Sequence, residues 1–348
     1  MRIENFEPGG KRDLVRTATA AQDASDNMLD SAGQGFAFPV HEKVRTAADD
    51  RVMTTPEDTE GISKKELLRA ALSSTKKAWE EAIAPRIGDI RNKGIGTLKG
   101  GTDFFTEADT ESEKVIVEEF NNAFPGKLQF FGEEANAYTG NLSSNITVRI
   151  DPIDGTEAFK FGKQDWGIMV GVYEGPHEKS EQIATGIYFP EMNTTMYYLR
   201  GVGVMISDLE SGESKEIGRV RDQDEITNVL ISYYRHSKRE ERGENEGILR
   251  ALDQEGARVK FNDSTCGDVL ESLMTGGQRI IIYDGDMNKV DYIPFKMLQE
   301  VGYKIFPWEG GEEIPPEDPN LQNKKVVIVP PGKAGERVRE LIRNVHGN

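Results

Sequence analysis

Apolar positions along the chain follow two rhythms. From Ser63, the residues Leu67, Leu68, Ala71, Leu72, Ala78, Trp79, Ala82 and Ile83 recur at helical spacing. Ser63-Lys64-Lys65-Glu66 sets a capping box in front of them, so a helix is predicted over 63–92. A second is predicted over 106–122, with Val115, Ile116 and Phe120 inward. Short β-branched and aromatic runs follow, separated by turn residues: 128–131, 146–150 ending at Asp151, 167–173, 183–189, 195–199 and 202–206. Farther on, strands predicted at 226–232, 259–261, 279–283 and 325–329 alternate with helices predicted at 239–253, 267–275, 292–301 and 334–345. A β-rich half followed by an alternating half implies a layered α/β arrangement, with a boundary near the charged stretch 219–225.

Composition narrows this picture. A chain of 348 residues with 36% hydrophobic residues and 36 glycines can build a sizeable core and has the length of about two domains. The expected division is 61–217, an α+β part carrying the chemistry, and 218–348, an α/β part. Residues 1–60 hold 7 Lys/Arg and 12 Asp/Glu with no sustained period. They are expected to be a flexible acidic extension, or an arm that packs on a partner subunit, and are too acidic for a transit peptide. The net charge of −17 repels a phosphate backbone and argues against a nucleic-acid polymer as partner. It leaves room for a small phosphorylated substrate, because a bound cation inverts the local sign. One cysteine, Cys266, excludes an internal disulfide and cysteine-based zinc sites. The four histidines are scattered, and no apolar run is long enough to span a membrane. A cytoplasmic homodimeric enzyme is the expectation.

The chemistry concentrates in Asp151-Pro152-Ile153-Asp154-Gly155-Thr156. A β-branched run delivers Asp151 at a strand end, and Pro152 and Gly155 are expected to enforce a turn. Two carboxylates across such a turn repel unless a divalent cation lies between them, and all-oxygen donors suit Mg²⁺. Beyond the turn, Gly155 and Thr156 can open a helix whose amides face an anion. The alternative is a solvated Asp-Pro-x-Asp-Gly turn. Further acids stand at element ends: Asp109 and Glu113 after Thr106, Glu133 and Glu134 after Gly132, Asp284 at a strand end, and Asp291 before a helix. Singly, each is an ordinary cap or loop acid. No dinucleotide fingerprint, P-loop or nucleophile elbow is present. Trp79, Trp166 and Trp308 read as packing residues, and Cys266 as a buried thiol.

Taken in order, Thr106-x-x-Asp109-x-x-x-Glu113, Gly132-Glu133-Glu134, Asp151-Pro-Ile-Asp-Gly-Thr156 with Phe159, and Asp291 resemble the motifs of the inositol monophosphatase superfamily. The resemblance runs from about Ser63 to Gly310. It implies a layered αβαβα sandwich of the inositol monophosphatase and fructose-1,6-bisphosphatase type, and a lithium-sensitive, Mg²⁺-dependent phosphatase with two or three Mg²⁺ per site. It further implies that Glu133, Asp151 and the Ile153 carbonyl ligate one Mg²⁺, and Asp151, Asp154 and Asp291 a second. Asp109 and Thr156 would polarise the attacking water, with Glu133 counted among the catalytic groups. Asp154 and the Gly155 and Thr156 amides would hold phosphate. Asp284 and Cys266 fall where substrate is contacted. The chain departs from the family at Val290, where a Trp is usual, at Glu157-Ala158, and at Glu300-Val301-Gly302-Tyr303, which leaves the substrate open. The first expectation is inositol 1-phosphate or a similar cyclitol or sugar phosphate. The alternatives are 3′-phosphoadenosine 5′-phosphate, fructose 1,6-bisphosphate and histidinol phosphate, and, as a different class, a non-catalytic metal- or phosphate-binding regulator.

Overall fold

The structure, a computed structural model, describes residues 61–93, 97–99, 103–105, 107–176, 179–235, 242–262, 264–284, 288–318, 321 and 324–346. The expected extension 1–60 and Thr106 lie outside them. In chain order the elements are α1 (Lys64–Ala78), α2 (Ile87–Lys93), β1 (Thr97–Lys99), β2 (Asp103–Phe105), α3 (Glu107–Ala123), β3 (Gln129–Gly132), β4 (Tyr138–Gly140), β5 (Ile146–Asp154), α4 (Thr156–Lys160), β6 (Gly167–Glu174), β7 (Glu181–Phe189), β8 (Thr194–Leu199), β9 (Gly203–Asp208) and β10 (Ser214–Ile217). Then come β11 (Leu230–Arg235), α5 (Arg242–Gln254), β12 (Arg258–Asn262), α6 (Thr265–Met274), β13 (Arg279–Asp284), α7 (Phe295–Glu300), β14 (Lys304–Pro307), β15 (Val326–Val329) and α8 (Lys333–His346).

The capping box forms as expected: Lys65 N–H donates to Ser63 Oγ at 3.3 Å and Ser63 N–H to Glu66 at 3.2 Å. The helix it starts does not run unbroken to residue 92. A π-turn at Trp79–Ile83 and a 3₁₀ turn around Pro85, which has no N–H to give, separate α1 from α2.

An eight-stranded sheet has the order β10-β9-β8-β7-β6-β5-β3-β4, and a five-stranded sheet the order β12-β11-β13-β15-β14. The two therefore divide the chain between Ile217 and Leu230. Three buried clusters stack between the layers. One lies between α1 with α3 and the first sheet, through Leu67, Ile116, Phe120, Ile146, Val148 and Ile150. The second joins the other face of that sheet to α6, α7 and the second sheet, through Phe131, Met169, Val269, Leu298, Ile281 and Tyr283. The third covers the outer face of the second sheet with α5 and α8, through Ile231, Ile280, Ile282, Ile248 and Ile342. The result is the five-layer αβαβα sandwich. No described helix is long and apolar enough to cross a membrane.

One pairing positions the chemistry. The first sheet is antiparallel except for β3 against β5, which run parallel. Both strands therefore finish at the same edge, and the ladder continues one residue past β3 through Glu133 N–H to Ile150 C=O at 3.0 Å. Glu133 is thereby set beside Asp151.

Between the sheets, Arg279 is buried and pairs with Asp268 at 3.2 Å and with Glu271, and bonds Ser232 Oγ at 2.5 Å. Asn262 donates to the same Asp268 oxygen at 2.7 Å. Removing one member of such a pair strands a buried charge. Arg279→Leu is expected to lower stability by about 3–5 kcal/mol, and Arg279→Leu with Asp268→Leu to recover much of that, as read by denaturant unfolding.

Candidate active site

The acids converge on the crevice between the first sheet and the layer of α6 and α7. Ile146, Val148 and Ile150 face the helical layer of α1 and α3, so Thr147, Arg149 and Asp151 face the other way. Asp151, Asp154 and Asp109 are each at most 6% exposed. Burial pushes the Asp151 carboxyl well above the usual carboxylate range, and the negative charges of Glu133, Asp154, Asp291 and Asp109 push it further. These are the acids whose order in sequence suggested one site. Among the described residues, the Ile153 N–H (3.1 Å) is the hydrogen-bond donor that Asp151 has, and no cation reaches it.

Asp154 is in the opposite condition. Its Oδ2 accepts from Ser264 Oγ at 2.7 Å and Cys266 N–H at 2.7 Å, and its Oδ1 from Thr265 N–H at 3.1 Å and Thr265 Oγ1 at 2.9 Å. All four acceptor positions of the carboxylate are filled by the start of α6. Asp291 Oδ2 accepts from Tyr283 OH at 3.1 Å and Asn288 N–H at 2.7 Å. Tyr283 in turn stacks on Tyr234, with centroids 4.1 Å apart and planes at 7°.

Several expectations are corrected. Pro152 does not make a turn: β5 runs to Asp154, and Pro152 sits in a bulge against β6, between the Asp151–Met169 and Asp154–Gly167 pairs, where its missing N–H is no loss. The reversal comes at Gly155, with φ +81°. A Cβ there would stand 2.7 Å from that of Ser264, so glycine is required for space as well as for conformation. Asp291 does not open a helix; turns through residue 294 precede α7, which begins at Phe295. The Thr156 hydroxyl donates to the Ile153 carbonyl at 3.2 Å rather than to Asp109. Asp284 is turned away from the crevice. Strand alternation sends Tyr283 inward and Asp284 to the far face, where it takes Tyr233 OH at 3.0 Å and Lys325 Nζ at 3.1 Å. Cys266 meets the site through its N–H; its thiol is wholly buried, and burial followed by the Asp154 charge pushes it up.

Glu113 had only a place in a motif, and the structure gives it a task. Its Oε2 accepts the Glu134 N–H at 2.9 Å. Its carboxylate occupies the space that a Cβ on Gly132 would need. Glu113 thus holds the loop that carries Glu133, and the Gly-Glu-Glu spacing was the signal for it. The expected packing roles of Trp166 and Trp308 hold: Trp166 meets Phe159 (4.8 Å) and Trp79 (5.9 Å), and Trp308 donates to Val326 C=O at 3.1 Å.

A buried, all-oxygen cluster of acids around an uncompensated Asp151 fits a hard divalent cation such as Mg²⁺. Among the described residues, no three His, Cys, Asp or Glu side chains already stand in a ligating arrangement. Glu133, Asp151, Asp291 and the Ile153 carbonyl are the groups whose chemistry suits it.

Comparison with known proteins gives the family. The sequence description of the inositol monophosphatase family matches residues 17–346. The chain belongs to the inositol monophosphatase family. That match reaches past the 63–310 span of the motifs in both directions. An inositol-1-monophosphatase of Mesorhizobium japonicum is 29% identical over 148 residues, 42% of this chain and 52% of that protein. A Nus factor SuhB of Pasteurella multocida is 30% identical over 113 residues, 32% of this chain and 40% of that one. The chain thus aligns with about half the length of the curated relatives it matches, or less. Among solved structures, the extragenic suppressor protein SuhB of Bartonella henselae superposes with a TM-score of 0.64 at 20% identity, covering 80% of this chain and 97% of the other. The Thermotoga maritima IMPase gives 0.60 at 18%, covering 81% and 98%. The fold is theirs.

Two isosteric changes three residues apart should move stability in opposite directions. A carboxyl whose pKa is raised in the folded chain makes the metal-free protein lose stability as pH climbs from about 4, the unfolded value, toward the raised value. In chelator at neutral pH, Asp151→Asn should remove that loss and raise Tm by about 2–6 °C. Asp154→Asn turns an amide toward N–H and O–H donors and should lower stability by about 2–4 kcal/mol. Melting curves of both variants across pH check the pair.

Proposed function

We propose that the chain is a Mg²⁺-dependent phosphomonoesterase acting on a small phosphorylated metabolite, with cyclitol and sugar phosphates, inositol 1-phosphate first, as the esters to try. The observation that carries it is the buried Asp151 carboxyl ringed by Glu133, Asp154, Asp291 and Asp109, with no cation against it among the described residues. Membership of the family and relatives named inositol-1-monophosphatase support it.

Bound Mg²⁺ would lower the pKa of water and neutralise charge on the phosphate and leaving oxygen. Glu133, Asp151, Asp291 and the Ile153 carbonyl would hold it. The chain's own residues supply the rest, which is alignment. The Gly155 and Thr156 amides face the phosphate at the start of α4. Thr156 gives its only proton to the Ile153 carbonyl, so its oxygen is left to accept from the attacking water and orient it. The carbonyl has two lone pairs and can accept from Thr156 and still ligate. The water's proton passes to a carboxylate of the cluster, with Asp109 and Glu133 the candidates. Water forms the new P–O bond, the ester P–O bond breaks, and the alcohol leaves with a proton. Asp154 acts by locking the turn to α6.

Phosphate release from inositol 1-phosphate, 3′-phosphoadenosine 5′-phosphate, fructose 1,6-bisphosphate and histidinol phosphate, in Mg²⁺ and in chelator, tests the reading. Release in Mg²⁺ alone is expected, and no release from any ester would favour the non-catalytic alternative. Glu133→Gln should lower kcat by about a hundredfold or more. Thr156→Ala should lower kcat far more than it raises KM, since only the alignment of water is lost; a Tm shift with kcat unchanged would make Thr156 a helix cap and nothing more.

A further inference from the structure

The mouth of the acid crevice carries a cation that the reaction above does not use. Lys289 lies two residues before Asp291, in the turn whose Asn288 N–H bonds Asp291 Oδ2. Its Nζ stands 5.0 Å from the ring centroid of Phe131 and 5.1 Å from that of Tyr138. Those two rings meet across β3 and β4 at a 55° tilt, with centroids 4.9 Å apart. Phe131 is paired with Arg149 across the β3–β5 ladder and packs in the second cluster, so its ring lies on the sheet face that also carries Asp151. Lys289 is therefore seated over the face that bears Asp151, at the turn that carries Asp291.

Its charge is held without being cancelled. Among the described residues no carboxylate comes within ion-pairing distance of the ammonium, although acids surround the crevice. Aromatic faces attract a cation through their quadrupole and leave its full positive charge available. Val290, the next residue, is completely buried and fixes the backbone from which the side chain extends. A restrained, unneutralised ammonium beside a phosphate-binding crevice is placed to meet negative charge on the ligand.

We propose that Lys289, braced by Phe131 and Tyr138, forms a subsite for a second anionic group, a carboxylate or a further phosphate, on the ester that the acid crevice takes. The proposal rests on the phosphatase reading and deepens it. Among cyclitol, sugar and nucleotide esters, it favours those that carry an anion besides the scissile phosphate. A polyol monophosphate offers only hydroxyls to the ammonium.

Glycerol 2-phosphate and 2-phosphoglycerate differ in one hydroxymethyl group against one carboxylate, and 2,3-bisphosphoglycerate adds a second phosphate. With the full chain in Mg²⁺, kcat/KM for each acid ester is measured relative to glycerol 2-phosphate. The wild-type protein should prefer the acid esters. Lys289→Met should lower that preference about tenfold, and Lys289→Arg should keep it. The acid ester that loses more in Lys289→Met identifies the second group. Should Lys289→Met fail to fold, Lys289→Gln with a matched melting curve gives the same readout. A preference unchanged in Lys289→Met, or absent from the wild-type protein, overturns the subsite and leaves the phosphatase reading standing. Hydrolysis of none of the three esters, nor of any ester named earlier, overturns both.

Discussion

The Asp154 carboxylate is the joint on which the rest of the crevice depends. It leaves the end of β5 and is received by four donors at the start of α6, a helix from the other half of the chain. Negative charge at a helix N-terminus is favoured by the backbone dipoles there, and charge-assisted hydrogen bonds are the stronger kind. The surroundings are shaped to allow the approach. A Cβ on Gly167 would be 2.9 Å from Cys266 Sγ, and one on Gly267 would be 2.5 Å from the Asp165 carbonyl. With Gly155 against Ser264, three glycines let backbone from the two halves meet closely at this point.

Against that satisfied carboxylate stands an unsatisfied one. Asp151 and Asp154 share a strand end and are both buried, yet one has every acceptor position filled and the other faces four like charges. The contrast is a division of labour. Asp154 fixes the geometry, and Asp151 holds an electrostatic deficit that a bound cation would relieve. That relief would contribute directly to cation affinity, at the expense of the metal-free chain's stability.

Much of this was legible before the structure. The capping box at Ser63 names its own geometry, and β-branched runs mark β5, β6 and β13. The ordered acids pointed to one crevice because their order resembles the motifs of the inositol monophosphatase superfamily, although each alone reads as an ordinary cap or loop acid. What could not be read has physical causes. Pro152 looks the same in a turn and in a bulge; pairing with β6 decides. A one-residue register step separates Tyr283 from Asp284, and only the sheet shows which faces the crevice. β10 is an exposed polar edge strand and β14 a four-residue one, so neither carries a periodicity worth reading. The filling of Asp154 by Ser264, Thr265 and Cys266 joins residues about a hundred positions apart. A small N-cap Ser followed by Thr was the faint local mark of it.

The parallel pair β3 and β5 also bears on the order of events in time. The acids are drawn from Asp109 through Asp291, and the last arrives only when the second sheet and its helices have docked on the first. Contacts of such sequence separation are among the slowest to form. A cation held by Glu133, Asp151 and Asp291 would therefore have nothing to grip early in folding. Its stabilisation would fall mainly on the rate of unfolding, with little effect on the rate of folding. A bound ion would act as a brake on departure from the native state, and the lifetime of the fold would become a function of free cation concentration.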